Sequence, residues 1–367
     1  MINPLQNEDI LAYNQYRKNI FLLKSDIKLE NNILIKLKTS QLPFDNFPSS
    51  DAIQLLRYYY PELRWTEFSP GKTGRFHKII FLKSNTGNEI VLRINRLSDL
   101  SIDYSLYYEE MIQPVLKAFD VLTPEIYKTD CSRKQHSFDY QIQSYLKGKT
   151  LSEFDRNDEN IIPKLEVLSH EMLKIHQIQG EGFGPLQLAQ SSDNTLRGVH
   201  SNWTEYLTTN LNDHLNICLS ESVINKSEYQ LIEKTFDIKI EADSRLLHAD
   251  LGNHNLFYFN NRIGFIDWED VILGDPLFDL AMLASFHPER RWKHIFDCYL
   301  SSLKTSKIAP TQEISYRFWL YFLRIAIFKT VHRIRFGISD NPERPKSSLR
   351  IQRAIRAMSH SELLPVF

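Results

Sequence analysis

Cysteine is nearly missing from this chain. Cys131, Cys218 and Cys298 lie far apart and form no CxxC pair. So odd and sparse a set implies neither a disulfide framework nor a zinc site. Net charge is nearly missing too, at −1, so no whole-chain field points to nucleic acid or to an anionic membrane. No nucleic-acid or membrane partner is expected. The N-terminus, MINPLQNEDILAYNQYRKNI, has no apolar run behind a basic start and does not read as a signal peptide. The most apolar later stretch, residues 318–328, is interrupted by Arg324 and is too short to span a bilayer. A cytoplasmic protein is the expectation. Glycine is scarce, at 12 residues, which makes each one informative, because glycine serves where backbone takes positive φ or approaches a ligand closely. Gly71, Gly74, Gly148, Gly252 and Gly274 all fall beside the motifs described below.

What is present is a globular balance of 42% hydrophobic and 24% charged residues, outside the disordered range. At about 150 residues per domain, the length predicts two domains or lobes. Residues 1–48 read as an N-terminal extension, with a helix near 8–20 and a break between Pro43 and Pro48. A helix is predicted from about 50 to 59, capped by Ser49 or Ser50. The runs FHKIIFL and EIVLRIN, separated by Ser-Asn-Thr-Gly-Asn, signal a hairpin, and SPGKTGR before them reads as a turn. A helix over roughly 103–119, bent at Pro114, leads to strands in TPEIY and FDYQIQSYL. Residues 49–146 thus form a strand-rich N-lobe with its hinge, and 147–367 a mainly helical C-lobe. Within that lobe a helix is expected over 202–216, opened by Ser201 or Asn202. Strands first and helices after make an α+β, two-lobed architecture.

The chemistry lies in His248-Ala249-Asp250-Leu251-Gly252-Asn253-His254-Asn255, followed by Ile266-Asp267-Trp268-Glu269. Apolar strands flank these residues, so Asp250, Asn255 and Asp267 sit at strand ends, where acceptor side chains can converge. Phosphoryl transfer needs such a set. One Asp orients the attacking hydroxyl and takes its proton, an Asn five residues on holds Mg²⁺, and a second Asp bridges metal to phosphates. Magnesium prefers hard oxygen ligands, with one or two from the protein. The loop Gly71-Lys72-Thr73-Gly74 is not a Walker A motif, since residue 66 is Thr and a strand follows. Its amides are placed to meet phosphates, or it is an ordinary turn.

The sequence resembles the aminoglycoside phosphotransferase family, which shares the two-lobed protein-kinase-like fold. The resemblance rests on HADLGNHN, IDWED and GDPLFDLA (274–281), supported by EIVLRIN (89–95), the helix of Glu109 and Glu110, QSYLKGKTL (143–151), the segment of His176 and GFGP (182–185). It covers about residues 50–300. The run of VLRIN, GFGP and HADLGNHN is more similar to the hygromycin kinase branch than to the others. It implies Asp250 as catalytic base, with Asn255 and Asp267 as metal ligands. It also implies a basic residue on the third strand that grips the α/β-phosphates of ATP or GTP and pairs with a helical Glu. Arg93 holds that place, with Lys78 a weaker candidate and Glu109 or Glu110 as partner. Gln143 to Leu146, including Tyr145, would form the hinge meeting the purine edge. His248 is read as holding the loop by hydrogen bonds, and Asp275 and Asp279 as a helix cap and a brace.

Asp267 is followed only seven residues later by Gly274-Asp275-Pro276, and no Ala-Pro-Glu occurs. That leaves no room for a peptide-docking segment and argues for a small-molecule hydroxyl acceptor. Its chemistry stays open. Arg317, Arg324, Lys329, Arg333, Arg335, Arg344, Lys346, Arg350, Arg353 and Arg356 face only Asp340 and Glu343 in that region. They read as a solvated face around a core of Trp319, Phe322 and Phe328, or in part as an acceptor site for a neutral or anionic substrate. Opposing them are Glu153, Asp155, Asp158, Glu159, Glu166 and Glu171. The expected activity is transfer of a γ-phosphate from ATP or GTP to an antibiotic or natural product. A metabolite kinase of choline, sugar or homoserine type, and a non-catalytic nucleotide-binding module, are the alternatives.

Overall fold

A computed structural model describes residues 7–26, 31–74, 76–98, 104–154, 161–188, 195–287, 289–302, 312–338 and 346–359. The chain divides into two compact units. The first takes Met1–Asp9, Lys28–Pro114 and Thr123–Lys147; the second takes Ile10–Ile27, Val115–Leu122 and Gly148–Phe367. The residues before 49, expected as one extension, are therefore shared between both units.

The chain opens with α1 (Asn7–Lys18), α2 (Leu23–Asp26), α3 (Asn31–Thr39) and a short helical turn at Pro43–Asn46. Helix α4 (Ser49–Tyr59) follows, then β1 (Trp65–Thr73), β2 (His77–Ser84), β3 (Glu89–Asn95), α5 (Leu106–Ala118), β4 (Ile126–Asp130) and β5 (Tyr140–Ser144). The strands form an antiparallel sheet in the order β1-β2-β3-β5-β4. The expected hairpin is present, with Ile80 opposite Leu92 and Phe81 opposite Val91. Period-two alternation sorts its residues onto two faces. Ile80, Leu82, Ile90, Leu92, Ile94, Tyr140 and Ile142 pack with Ala52, Leu55 and Leu56 of α4 into one apolar core. Each fully buried aliphatic side chain contributes about 1.5–3 kcal/mol. Arg93, opposite Ile79 and Gln141, takes the other face.

Two local expectations are corrected here. Helix α4 is capped by Pro48 rather than by Ser49 or Ser50, and the Ser49 hydroxyl is engaged by Glu67. The SPGKTGR segment is strand as far as Thr73, with a register irregularity between Ser69 and Lys72 that contains Gly71. Gly74 alone follows the strand, its amide donating to the His77 carbonyl at 2.8 Å. Buried Arg96 ties this corner together, paired with Asp45 and donating to the carbonyls of Gly74 at 2.9 Å and Leu37 at 3.2 Å.

The second unit continues with β6 (Lys149–Thr150), α6 (Ile162–His176), β7 (Gly180–Glu181), β8 (Phe183–Leu186), β9 (Leu196–His200), α7 (Trp203–Thr208), α8 (Leu211–Ser220) and α9 (Lys226–Thr235). Then come β10 (Arg245–Leu247), β11 (Leu256–Phe259), β12 (Arg262–Phe265), β13 (Ile272–Gly274), α10 (Leu277–Phe286), α11 (Glu289–Ser302), α12 (Gln312–Phe336) and α13 (Ser347–Ser359). Two small sheets run β10-β13-β8-β9-β7 and β12-β11-β6. Among the described residues no helix is long and apolar enough to cross a membrane.

The single helix expected over 202–216 is two helices. Asn210 breaks it at φ 54, a left-handed conformation that asparagine tolerates. The carbonyls exposed at the break need donors. Arg324 of α12 supplies them, bonding to the carbonyls of Leu207 and Thr209 at 2.7 Å each, its guanidinium 3.6 Å above the Phe21 ring. Burial presses its pKa down to about 10, which leaves it cationic at neutral pH. Arg324 also donates to His214 Nδ1 at 3.1 Å, so the His214 proton sits on Nε2, 2.5 Å from Asp26 Oδ1. Arg335 pairs with the same carboxylate, and Arg317 with Asp275. Part of the expected solvated basic face is therefore internal wiring. Trp319, Phe322 and Phe328 are buried as expected, while Arg344, Asp340 and Glu343 lie outside the described residues.

Burial alone would raise the Asp26 pKa, but its bonds to His214 and the Phe21 amide, with the Arg324 charge, outweigh that and hold it at about 2. A depressed carboxylate pKa stabilises the fold above the unfolded value and loses that contribution as pH falls through the folded one. Asp26→Asn should thus cost on the order of 2 kcal/mol at pH 7. The gap from the parent chain, followed by urea unfolding, should close as pH falls from about 4 towards about 2.

Candidate active site

The apolar strand β10 delivers the HADLGNHN segment. Leu246 and Leu247 are fully buried and pair with Leu273 and Ile272 of β13, so the chain emerges at His248 with its backbone fixed. The next two amides have no strand partner. Asp279 of α10 takes both, His248 N–H on Oδ2 and Ala249 N–H on Oδ1, each at 2.9 Å. Ala249 sits at φ 61, a conformation that L residues avoid unless the surroundings hold them there. Asp279 is itself oriented by His176 Nε2 at 3.2 Å, and His176 Nδ1 meets the Tyr299 hydroxyl at 2.7 Å.

Both ring nitrogens of the buried His248 are engaged. Nδ1 accepts from the Asp250 amide at 3.3 Å, and Nε2 donates to the Ile266 carbonyl at 3.0 Å. The ring lies 4.5 Å from that of Trp268. His248 thus links the Asp250 backbone to the residue just before Asp267. The β11–β12 hairpin makes the second link. It turns at Asn260 and Asn261, both at positive φ as a tight two-residue hairpin turn requires. Leu256 pairs with Phe265, and the Ile266 amide donates to the Asn255 carbonyl at 3.1 Å, so Asn255 and Asp267 leave the same open end. Asn255 Nδ2 bonds to the Asp250 carbonyl at 3.0 Å and to Asp250 Oδ2 at 3.1 Å, so the amide nitrogen of Asn255 is spent on Asp250. Asp267 sits at φ 67.

Asp275 accepts the Leu277 amide at 3.1 Å at the start of α10 and is anchored from behind by Arg317 and the Tyr321 hydroxyl. Gly274 precedes it for a packing reason, since a Cβ there would overlap the buried Trp203 ring.

In the first unit, Arg93 Nη1 forms a buried ion pair with Glu109 Oε1 at 2.5 Å. Gln141 Oε1 accepts from the same nitrogen at 3.3 Å, and His77 Nδ1 lies 3.4 Å from Nη2. Gln141 and His77 were not singled out from the sequence, although strand parity with Arg93 would have found both. The choice between Glu109 and Glu110 is geometric: Glu110 does not pair with Arg93, and burial raises its pKa against a weaker opposing bond from Thr129. Gln143 is opposite Val91 and so shares the Arg93 face, whereas Lys78, opposite Ile94, takes the other. The Tyr145 amide donates to the Glu89 carbonyl at 3.1 Å, and its ring meets Phe68 at 5.3 Å and Phe81 at 5.9 Å. Of the acidic residues weighed for an acceptor, Glu153 caps Thr150 and Glu171 pairs with Arg262. Asp155, Asp158 and Glu159 lie outside the described residues.

Residues 75–303, well over half of the chain, match the phosphotransferase enzyme family. A protein LicA homolog of Mycoplasma capricolum subsp. capricolum is 29% identical over 159 residues, 41% of this chain and 62% of that protein, so the match spans less than two thirds of this relative. A thermostable mutant of aminoglycoside phosphotransferase APH(4)-Ia, in ternary complex with AMP-PNP and hygromycin B, is similar in structure with a TM-score of 0.59 and 20% identity, covering 83% of this chain and 98% of that one. The macrolide 2'-phosphotransferase MphH of Brachybacterium faecium has a TM-score of 0.51 and 14% identity, covering 84% and 98%. These likenesses show the kinase-like fold.

Removing one partner of a buried ion pair costs about 3–5 kcal/mol, because the other charge is stranded. Glu109→Ala should therefore lower the melting temperature sharply and weaken binding of a fluorescent nucleotide analogue. Glu110→Gln should leave both unchanged or raise stability at neutral pH, since ionising this buried carboxyl opposes folding.

Proposed function

The chain belongs to the phosphotransferase enzyme family; from that premise we propose that it is a small-molecule kinase, transferring the γ-phosphate of ATP or GTP to a hydroxyl of an antibiotic or similar natural product. The observation that carries this reading is the bond from Asn255 Nδ2 to Asp250 Oδ2, made at a loop whose backbone Asp279 grips. One carboxylate is held in orientation as a base, and one amide oxygen is left as a ligand.

In the proposed reaction the acceptor hydroxyl donates its hydrogen bond to Asp250 and gives up its proton there as its oxygen attacks the γ-phosphorus. The bond from that phosphorus to the β-phosphate oxygen breaks, and the nucleoside diphosphate leaves. The Asn255 amide oxygen and the Asp267 carboxylate are hard donors that suit Mg²⁺. That ion, when bound, would neutralise charge on the phosphates. Arg93 would meet the α/β-phosphates while Glu109 keeps it aimed, since a guanidinium offers five N–H donors where a lysine offers three. Gln143 and Tyr145 would carry the purine, and Gly71 and Gly74 the loop above the phosphates. A cytoplasmic location, where nucleoside triphosphate is at hand, suits this chemistry. The internal pairing of Arg317, Arg324 and Arg335 removes those cations from acceptor recognition.

The test is incubation with Mg²⁺, γ-labelled ATP or GTP, and a panel of aminoglycosides, macrolides, choline, sugars and homoserine. Asp250→Ala should reduce turnover about 10²–10⁴-fold while nucleotide still binds. Asn255→Ala should raise the Mg²⁺ concentration needed for half-maximal rate. Full turnover by Asp250→Ala would overturn the assignment of the base. Nucleotide binding without transfer to any acceptor would make the chain a non-catalytic module, and transfer to choline, a sugar or homoserine would make it a metabolite kinase.

A further inference from the structure

The cysteine count and spacing argued against a metal site, but spacing in sequence reports only ligands that share a loop. Helices α6 and α11 pack against each other within the second unit. Glu166 and His170 are four residues apart on α6, and His294 and Cys298 four apart on α11, so each pair shares one helix face. The two faces meet. His294 Nε2 lies 3.4 Å from Glu166 Oε1 and 3.6 Å from Cys298 Sγ. One turn further along, His170 Nε2 meets the Ser302 hydroxyl at 3.2 Å. The ligand atoms of Glu166, His294 and Cys298 all lie within 4.8 Å of one another.

We propose that Glu166, His294 and Cys298 form a zinc site that clamps α6 to α11, separate from the Mg²⁺ ligands of the catalytic loop. The distances carry it. With Zn–N about 2.0 Å and Zn–S about 2.3 Å, a tetrahedral ion sets N···S at about 3.5 Å and N···O at about 3.3 Å. The observed 3.6 and 3.4 Å match those edges before any ion is bound, and Glu166 and Cys298 offer ligand atoms within 4.8 Å of each other. The donor set fits the ion as well. One thiolate and one carboxylate neutralise the divalent charge, with imidazole third and water fourth. A sulfur and a nitrogen ligand exclude Mg²⁺, which demands oxygen. His294 and Glu166 are 31% and 51% exposed at their side chains, so a path in from solvent exists. The thiol proton leaves to solvent on binding.

The clamp has a place in the support of the active site. Helix α6 carries His176 and α11 carries Tyr299, the pair that orients Asp279 beneath the catalytic loop. Zinc acts there as a fastening and takes no part in phosphoryl transfer.

The full tag-free chain, stripped of metal, is titrated with Co²⁺ alone and then with Zn²⁺. One equivalent of Co²⁺ should bring up a thiolate-to-cobalt charge-transfer band with the visible bands of four-coordinate cobalt, and Zn²⁺ should displace it. Zn²⁺ should also raise the melting temperature of the parent chain. Cys298→Ser and Glu166→Gln should lose the thermal shift, and Cys298→Ser the band, with nucleotide binding retained as the check of folding. Asp267→Asn should keep the band, because the catalytic-loop ligands contain no sulfur. No band in the parent chain at stoichiometric cobalt, or an undiminished band in Cys298→Ser, overturns the proposal.

Discussion

One carboxylate carries the loop that begins at His248. Asp279 accepts the amides of His248 and Ala249, groups that would otherwise be buried donors with no strand to pair with, at about 1–3 kcal/mol each. Its position follows from α10, in which Leu277 through Ser285 are buried all round. A helix that apolar lies inside the unit, and the one carboxylate within it needs hydrogen-bond donors. The amides and His176 provide them. The left-handed turn at Ala249 is then held open by its surroundings, and Asp250 inherits a fixed direction.

The same economy of parts governs the Arg93 face of the first sheet. EIVLRIN sets Arg93 directly between Leu92 and Ile94, and pairing register sends Ile90, Leu92 and Ile94 into the core and Arg93 to the opposite side. There a buried guanidinium needs a counter-charge, and Glu109 of α5 supplies it. Arginine makes that pair through Nη1, while its Nη2 lies 3.4 Å from His77 Nδ1.

Charge in the helical unit works inward more than composition suggests. Arg324 closes a helix end broken at Asn210, Arg335 joins His214 on Asp26, and Arg317 holds Asp275 from behind. Each cation answers a local surplus of acceptors, whether carbonyls at a helix terminus or a buried carboxylate. Such pairings join residues from 42 to 309 positions apart, and a tally of charges along the chain cannot show them.

The sequence by itself marked several of the elements and a set of candidate residues. Alternation and turn residues marked the hairpin, and the set of Asp250, Asn255 and Asp267 stood out through residue type and separation alone. These are local properties, written into neighbouring positions. Tertiary structure decided which of Glu109 and Glu110 meets Arg93, that Pro48 caps α4, and that the helix predicted over 202–216 breaks at Asn210. It also decided that His248 spends both ring nitrogens on the backbone, and that Glu166 comes beside His294 and Cys298. Those outcomes depend on which helix face or strand face packs where, and that is set by burial of the whole apolar surface rather than by any one segment.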